Sequence, residues 1–354
     1  MSCFSVLVAH AEDSSFVLVD GYYEIDSPED FIAFRELMSS GEVYGVECNV
    51  KLTADIDMTG QKWTPIDEYG FLGGYCGTFD GQGHIISNLT YKTAYDASFF
   101  GVLGGATIKN LSLVNIDMQG KNASGIALYS LNEKDITNEI INCFVIGNIS
   151  GSDYVGGLMA GVNSNGTNII SNSYFYGTIN QSGVMDNTGG LVGSVGNYSH
   201  LTLSNCFFNV SSLSPYGLGC EVDKYVVLDN VRTATEEEFA NGSIAYALNK
   251  NGESVFRQTI GTDYFPNFSG LKVYYYNVNC TERTYTNAAE ANYDHHLENE
   301  VCGVRGANFH RHIYNKNGVC ACGDVTHAHI YDENDVCSCG VLCPGEDSDG
   351  DGFI

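Results

Sequence analysis

His310-Arg-His312-Ile-Tyr314 recurs seventeen residues later as His327-Ala-His329-Ile-Tyr331, and Cys320-Ala-Cys322-Gly323 recurs at the same interval as Cys337-Ser-Cys339-Gly340. Each unit thus offers two imidazoles and two thiols, a donor set that tetrahedral zinc selects. So short a segment has little apolar core of its own, and a metal would supply the missing stability. The Cys-x-Cys spacing asks for a tight chelate turn. The competing reading is a disulfide-linked stalk with exposed histidines, which an oxidising exterior would favour. We take His310, His312, Cys320, Cys322, His327, His329, Cys337 and Cys339 as candidate zinc ligands within a His/Cys module spanning 285–343.

The residues that follow, 344–354, read as part of a calcium loop. Asp347, Asp349 and Asp351 fall at its first, third and fifth positions, Gly352 at its sixth and Ile354 at its apolar eighth. The bidentate acid of the twelfth position is absent, so weak calcium binding is expected. The run resembles the first half of a dockerin or EF-hand loop, which implies that the chain is a piece of a longer protein. The His/Cys units in turn resemble short repeats near the ends of clostridial surface proteins, although those more often carry Cys-x-x-Cys.

Catalytic chemistry is poorly provided for elsewhere. The chain has 43 acidic and 16 basic residues, a net charge of −27, which repels phosphate backbones and argues against a nucleic-acid partner. A polysaccharide lyase needs a basic group beside its substrate's carboxylate, yet Lys51, Lys62, Lys92, Lys109 and Lys121 are scattered. A glycoside hydrolase needs carboxylates about 5 to 9.5 Å apart on one face. Asp55, Asp57, Asp67 and Asp80 are the only acid-rich neighbourhood of the central region, and Asp80 reads as a turn residue. Neither His-Glu-x-x-His nor Gly-x-Ser-x-Gly occurs, and no organic cofactor is implied. Tyr174 or Tyr176, if exposed, offers a ring on which sugars stack.

The elements that must position these groups are repeats. An apolar residue, a spacer and an Asn recur as Ile86-Ser-Asn88, Ile108-Lys-Asn110, Ile140-Ile-Asn142, Ile170-Ser-Asn172 and Leu203-Ser-Asn205, with asparagines 22, 32, 30 and 33 residues apart. A glycine-rich phrase interleaves: Phe99-Phe-Gly-Val-Leu103, Ser124-Gly-Ile-Ala-Leu128, Val155-Gly-Gly-Leu158 and Thr188-Gly-Gly-Leu191. Each unit holds two or three short strands, too few to bury an apolar face alone but enough to stack on a neighbour. The fold class is therefore all-β, a right-handed parallel β-helix. Asn tolerates left-handed corners, and stacked amides can hydrogen-bond from coil to coil.

These phrases, with Leu52-Thr-Ala-Asp-Ile-Asp57, Trp63-Thr-Pro-Ile66 and Gly77-Thr-Phe-Asp-Gly-Gln-Gly83, resemble the GLUG-repeat β-helices of bacterial surface and secreted proteins over roughly residues 20 to 276. Such domains accompany immunoglobulin A1 protease-type metallopeptidases, so the resemblance implies a helical accessory domain without the catalytic one.

Around the repeats, residues 12–46 read as an N-terminal capping segment, with Ser27-Pro-Glu-Asp30 opening a helix that carries Phe31, Phe34 and Leu37. Residues 47–276 form the β-helix, closed by a capping helix near 235–250, where Thr235-Glu-Glu-Glu238 makes a capping box and Gly242 divides the pattern. Leu271–Tyr276 reads as a closing strand. Residues 1–11 read as the remnant of a secretory signal peptide. Cys143 and Cys206 should stack two coils apart, too distant to bridge and best suited to the core. Cys48, Cys76, Cys220 and Cys280 are candidates for disulfides of unassigned pairing.

No stretch approaches a membrane span. The sequence thus points to a monomeric, non-catalytic solenoid outside the cell or on its surface, an adhesin, binding surface or rigid spacer for a host or bacterial surface glycan or protein. A glycan-processing β-helix enzyme is the alternative.

Overall fold

The computed structural model describes residues 18–40, 48–67, 73–131, 133, 135–163, 166–183, 187–210, 217–220, 224–249, 254–278 and 282–287. The expected leader at 1–11, the His/Cys module from residue 288 onward and the calcium loop lie outside the described residues. The chain divides into two compact units after Gly270.

The first unit is a parallel β-helix. Along one face the strands Tyr22–Ile25, Asn49–Leu52, Thr78–Asp80, Thr107–Lys109, Thr137–Ile141, Thr167–Ser171 and the leading halves of His200–Phe208 and Val226–Thr233 pair in parallel. Their register stacks Tyr23, Val50, Phe79, Ile108, Ile140, Ile170, Leu203 and Leu228 in one column directed into the core. A second face stacks Ile56, Ile86, Leu113, Val145, Phe175 and Phe208 opposite it. Because side chains alternate along a strand, one apolar position per strand feeds a continuous core, each fully buried aliphatic contributing roughly 1.5–3 kcal/mol.

Two short stacks complete each coil. Asp96–Ala97, Asn122–Ser124, Val155–Gly156 and Thr188–Gly189 form one, while Phe100–Leu103, Ala127–Ser130, Met159–Val162 and Val192–Val195 form the other. The glycine phrase has a steric reason here. A Cβ on Gly157 would lie 2.3 Å from the Gly190 carbonyl oxygen and 2.5 Å from the Phe175 ring, and one on Gly190 would lie 2.1 Å from the Phe208 ring. The corner runs so close to the inward ring of the following coil that only glycine fits.

The asparagine corner forms between the first two faces, with one correction. Asn110, Asn142, Asn172, Asn205 and Asn230 all have left-handed backbone, φ between 46° and 55°. Their amides join successive coils in two runs, Asn142 to Asn110 (3.4 Å), and Asn230 to Asn205 (2.7 Å) to Asn172 (2.8 Å). Asn88 does not belong to this column. Ile86 registers with Leu113 rather than Ile108, and Asn88 donates and accepts at the next corner, taking a bond from Asn115 (2.6 Å) and giving one to Asp57 (2.8 Å). The odd spacing of 22 residues runs from the second corner of one coil, at Asn88, to the first corner of the next, at Asn110.

Helix α1, Pro28–Ser39, forms as expected: Ser27 Oγ accepts from the Asp30 N–H (3.3 Å), and Pro28 opens the first turn. Phe31 stacks on Trp63 and Phe99 with ring centroids 5.0 and 5.3 Å apart, so α1 covers the apolar interior of the first coils.

Helices α2, Glu236–Ala240, and α3, Ser243–Leu248, are separated by Gly242 at φ 90°, and Thr235 with Glu238 makes both bonds of the capping box. They pack on the flank of the solenoid rather than over its end. Phe144, Tyr174 and Phe207, outward-facing in three successive coils, bury against Phe239, Ile244, Leu248 and Phe256. The cause is the two-sided apolar character of these strands: the alternate residues Val145, Phe175 and Phe208 fill the inside, so the outer aromatics need a separate cover. Segment 254–270 extends that cover as far as the coil of Gly83, which lies against Phe268.

The second unit, by itself, contains an antiparallel hairpin of Tyr274–Val278 with Glu282–Thr286. The strand expected at Leu271–Tyr276 falls in this unit.

Candidate functional site

The predicted zinc ligands His310, His312, Cys320, Cys322, His327, His329, Cys337 and Cys339, and the calcium-loop acids Asp347, Asp349 and Asp351, lie outside the described residues. Among the described residues no group of three His, Cys, Asp or Glu side chains is placed to hold a metal ion.

The acid-rich neighbourhood is tied into turns. Asp55 accepts from the Ile85 N–H (2.9 Å) and lies 3.1 Å from His84 Nδ1. Asp57 accepts from Asn88 Nδ2 (2.8 Å) and from the hydroxyl (2.6 Å) and N–H (3.0 Å) of Thr59, and these bonds hold its carboxyl below the usual carboxylate range. Asp80 accepts from both nitrogens of Gln82 (3.0 and 2.6 Å) and from Asn110 Nδ2 (3.0 Å), and pairs with Lys109 (3.1 Å). Asp67 is buried at a left-handed φ of 50°. The lysines follow the same pattern, with Lys51 on Glu24 (2.8 Å) and Lys92 on Asp117 (2.6 Å).

Tyr174 is fully buried beneath the flanking segment, where its hydroxyl donates to the Pro266 carbonyl. Tyr176 packs against Phe239 with centroids 5.0 Å apart. Tyr174 is thus closed to sugars, a correction that the alternation of apolar residues on both strand faces explains, while Tyr176 remains half-exposed.

Chemistry remains at the corner that leads into the glycine phrase. Register sets Asp96, Asn122 and Tyr154 at one position in three successive coils, each preceded by Tyr95, Lys121 and Asp153 respectively. Coils repeat about every 4.8 Å, so these side chains form a short ladder. Asn122 Nδ2 donates to Asp96 Oδ1 (2.7 Å), and Asn122 Oδ1 accepts from the Tyr154 N–H (3.1 Å). Lys121 pairs with Asp153 at 3.2 Å. Tyr129, from the adjacent stack, lies over Gly161, where a Cβ would meet its ring at 3.3 Å, and meets Tyr154 edge-on with centroids 6.4 Å apart at 81°. Burial first, then the charges of Asp96, Tyr154 and Asp153, push the Tyr129 phenol well above its ordinary value. Tyr95 is 70% exposed beside them.

Sequence reasoning missed this corner because its dipeptides, Tyr95-Asp96, Lys121-Asn122 and Asp153-Tyr154, repeat no residue type at either position. Aligning the glycine phrases and reading just upstream would have found it. A second aromatic group lies on the first face, where Tyr225 packs against His200 (5.0 Å) and Tyr198 (5.8 Å) under Lys224 (4.8 Å).

No family model matches the chain. Over 95 residues, 26% of its length, it is 36% identical to Halomucin of Haloquadratum walsbyi, and it spans about 1% of the length of that protein. A crystal structure from Bacteroides ovatus, described provisionally as an immunoglobulin A1 protease, superposes with a TM-score of 0.51 at 20% identity, covering 71% of this chain and 93% of that one. The superposition shows a shared fold. No helix among the described residues is long and apolar enough to cross a membrane.

Proposed function

We propose that the chain is a non-catalytic, secreted or cell-surface β-solenoid that works as an adhesin, binding surface or rigid spacer. The observation that carries this reading is the fate of the acid-rich neighbourhood: Asp55, Asp57 and Asp80 each orient a turn through bonds from backbone or amide nitrogens. A hydrolase would need two such carboxyls facing a substrate instead. The part-length likeness to Halomucin is compatible with a place at the cell surface. The likeness to a structure described as an immunoglobulin A1 protease supports a GLUG-type accessory solenoid, because it follows the fold and 93% of that chain.

Presenting the protein to whole cells and to purified envelope fractions tests the reading. Saturable retention without chemical change of the bound material is the expected result, and turnover of any component contradicts it.

The sequence also motivates a metal proposal. Two His/Cys units binding zinc would give near-stoichiometric zinc by elemental mass spectrometry on chelator-free protein, with Cys320, Cys322, Cys337 and Cys339 reduced. Absent zinc with oxidised thiols would replace that proposal by a disulfide-linked stalk. The partial loop at Asp347, Asp349 and Asp351 is expected to bind calcium weakly.

A further inference from the structure

We infer that the corner built by Asp96, Asn122, Tyr129 and Tyr154 is a subsite for one neutral pyranose residue of a glycan. The inference rests on the binding-surface reading above and names the chemistry of its ligand.

A sugar ring is amphipathic. Its C–H face packs on aromatic rings, while its hydroxyls need acceptors and donors held at fixed positions. Both are present at this corner. Asp96 is oriented through Oδ1 by the Asn122 amide, and the Asn122 amide is oriented through its own oxygen by the Tyr154 N–H. Asp96 Oδ2 and the second Asn122 N–H make no hydrogen bond to the described residues, which leaves one acceptor and one donor side by side.

The phenols of Tyr129 and Tyr154 likewise make none. That contrasts with Tyr75 and Tyr174, fully buried tyrosines whose hydroxyls donate to the carbonyls of Cys48 (2.8 Å) and Pro266. Tyr129 is half-buried, so its ring is held in place while a hydroxylated ligand can reach its phenol. The coil-on-coil spacing of about 4.8 Å keeps Asp96, Asn122 and Tyr154 within the span of a single small ring.

Two other ligand classes fit less well. An aromatic cage for an ammonium group needs ring faces turned toward a common gap, whereas Tyr129 and Tyr154 meet each other edge to face at 6.4 Å, a contact distance for aromatic pairs. An acidic sugar would face Asp96 and Asp153, and the neighbouring cation Lys121 is already paired with Asp153.

The test uses the full chain on an array of immobilised neutral oligosaccharides of glucose, galactose, mannose and N-acetylglucosamine, beside sialylated and uronate-containing counterparts. At least one neutral class should be retained and the acidic ones rejected. On that neutral sugar Asp96→Asn, Tyr154→Ala and Tyr129→Phe should each lower affinity by about tenfold, the scale of one lost hydrogen bond to a charged group or one lost ring contact. Tyr198→Ala, at the separate aromatic group of Tyr225 and His200, should bind like the parent, and thermal unfolding of every variant confirms its fold. Silence of the neutral array, or affinity indifferent to Asp96→Asn and Tyr129→Phe in folded protein, overturns the subsite. Such silence, with retention on a protein receptor, would leave the non-catalytic reading standing. Cleavage of an arrayed sugar would remove that reading instead.

Discussion

Left-handed corners carry much of the residue-scale logic. At Asn142 the backbone sits at φ 53°, a region that costs an ordinary L-residue roughly 1–2 kcal/mol, and the amide reaches Asn110 on the preceding coil. Asn142→Ala should therefore lower stability by about 1–2 kcal/mol in denaturant unfolding. Asn142→Gly should recover the conformational part and lose only the amide bond. Unchanged unfolding of Asn142→Ala would contradict the ladder. The thiols of Cys143 and Cys206 make a second case. Burial pushes both up to about 12 from an ordinary value of 9.0. The unfolded chain begins to release these protons near pH 9 and the folded one only near 12, so their contribution to stability is complete below about pH 9 and is lost as pH rises toward 12. Cys143→Ala should flatten that decline, and neither thiol should react with a thiol reagent at pH 8 until the protein is denatured. Corner asparagines and core cysteines were legible in the sequence because each has a local cause. The displaced Asn88 and the Asp96 corner were not, because their meaning depends on which coil position they occupy.

At the scale of elements, helix boundaries followed local chemistry closely. Ser27 with Pro28 opened α1, and Thr235 with Glu238 opened α2, since caps are satisfied within a few residues. Where α2 and α3 pack was not legible. That depends on Phe144, Tyr174 and Phe207 facing outward together, a consequence of register rather than of any local pattern. Phe239 is the anchor, in contact with Tyr174 (5.4 Å) and Tyr176 (5.0 Å). Phe239→Ala should cost about 3–5 kcal/mol and free the segment after residue 235 to proteolysis, while the β signal of the coils persists. A protease-resistant segment in that variant would place the anchor elsewhere. The Leu18–Val19 hairpin, turned at Asp20-Gly21 with both φ positive, shows a signal that the repeat pattern overshadowed.

For the whole molecule the repeats determined the architecture, because a unit too small to fold alone leaves stacking as its one route to a core. Function was less legible, since a solenoid lends its surface to many tasks and only the register of side chains distinguishes a binding corner from a turn. The central claim is that this surface holds a ligand without transforming it. The most direct measurement incubates the intact chain with a large excess of polysaccharides and glycoproteins and follows new reducing ends and new carbon–carbon double bonds over time, alongside the bound fraction. Saturable binding with neither product accumulating is the predicted result. Continuous release of either product, proportional to protein concentration, would contradict the account and identify an enzyme.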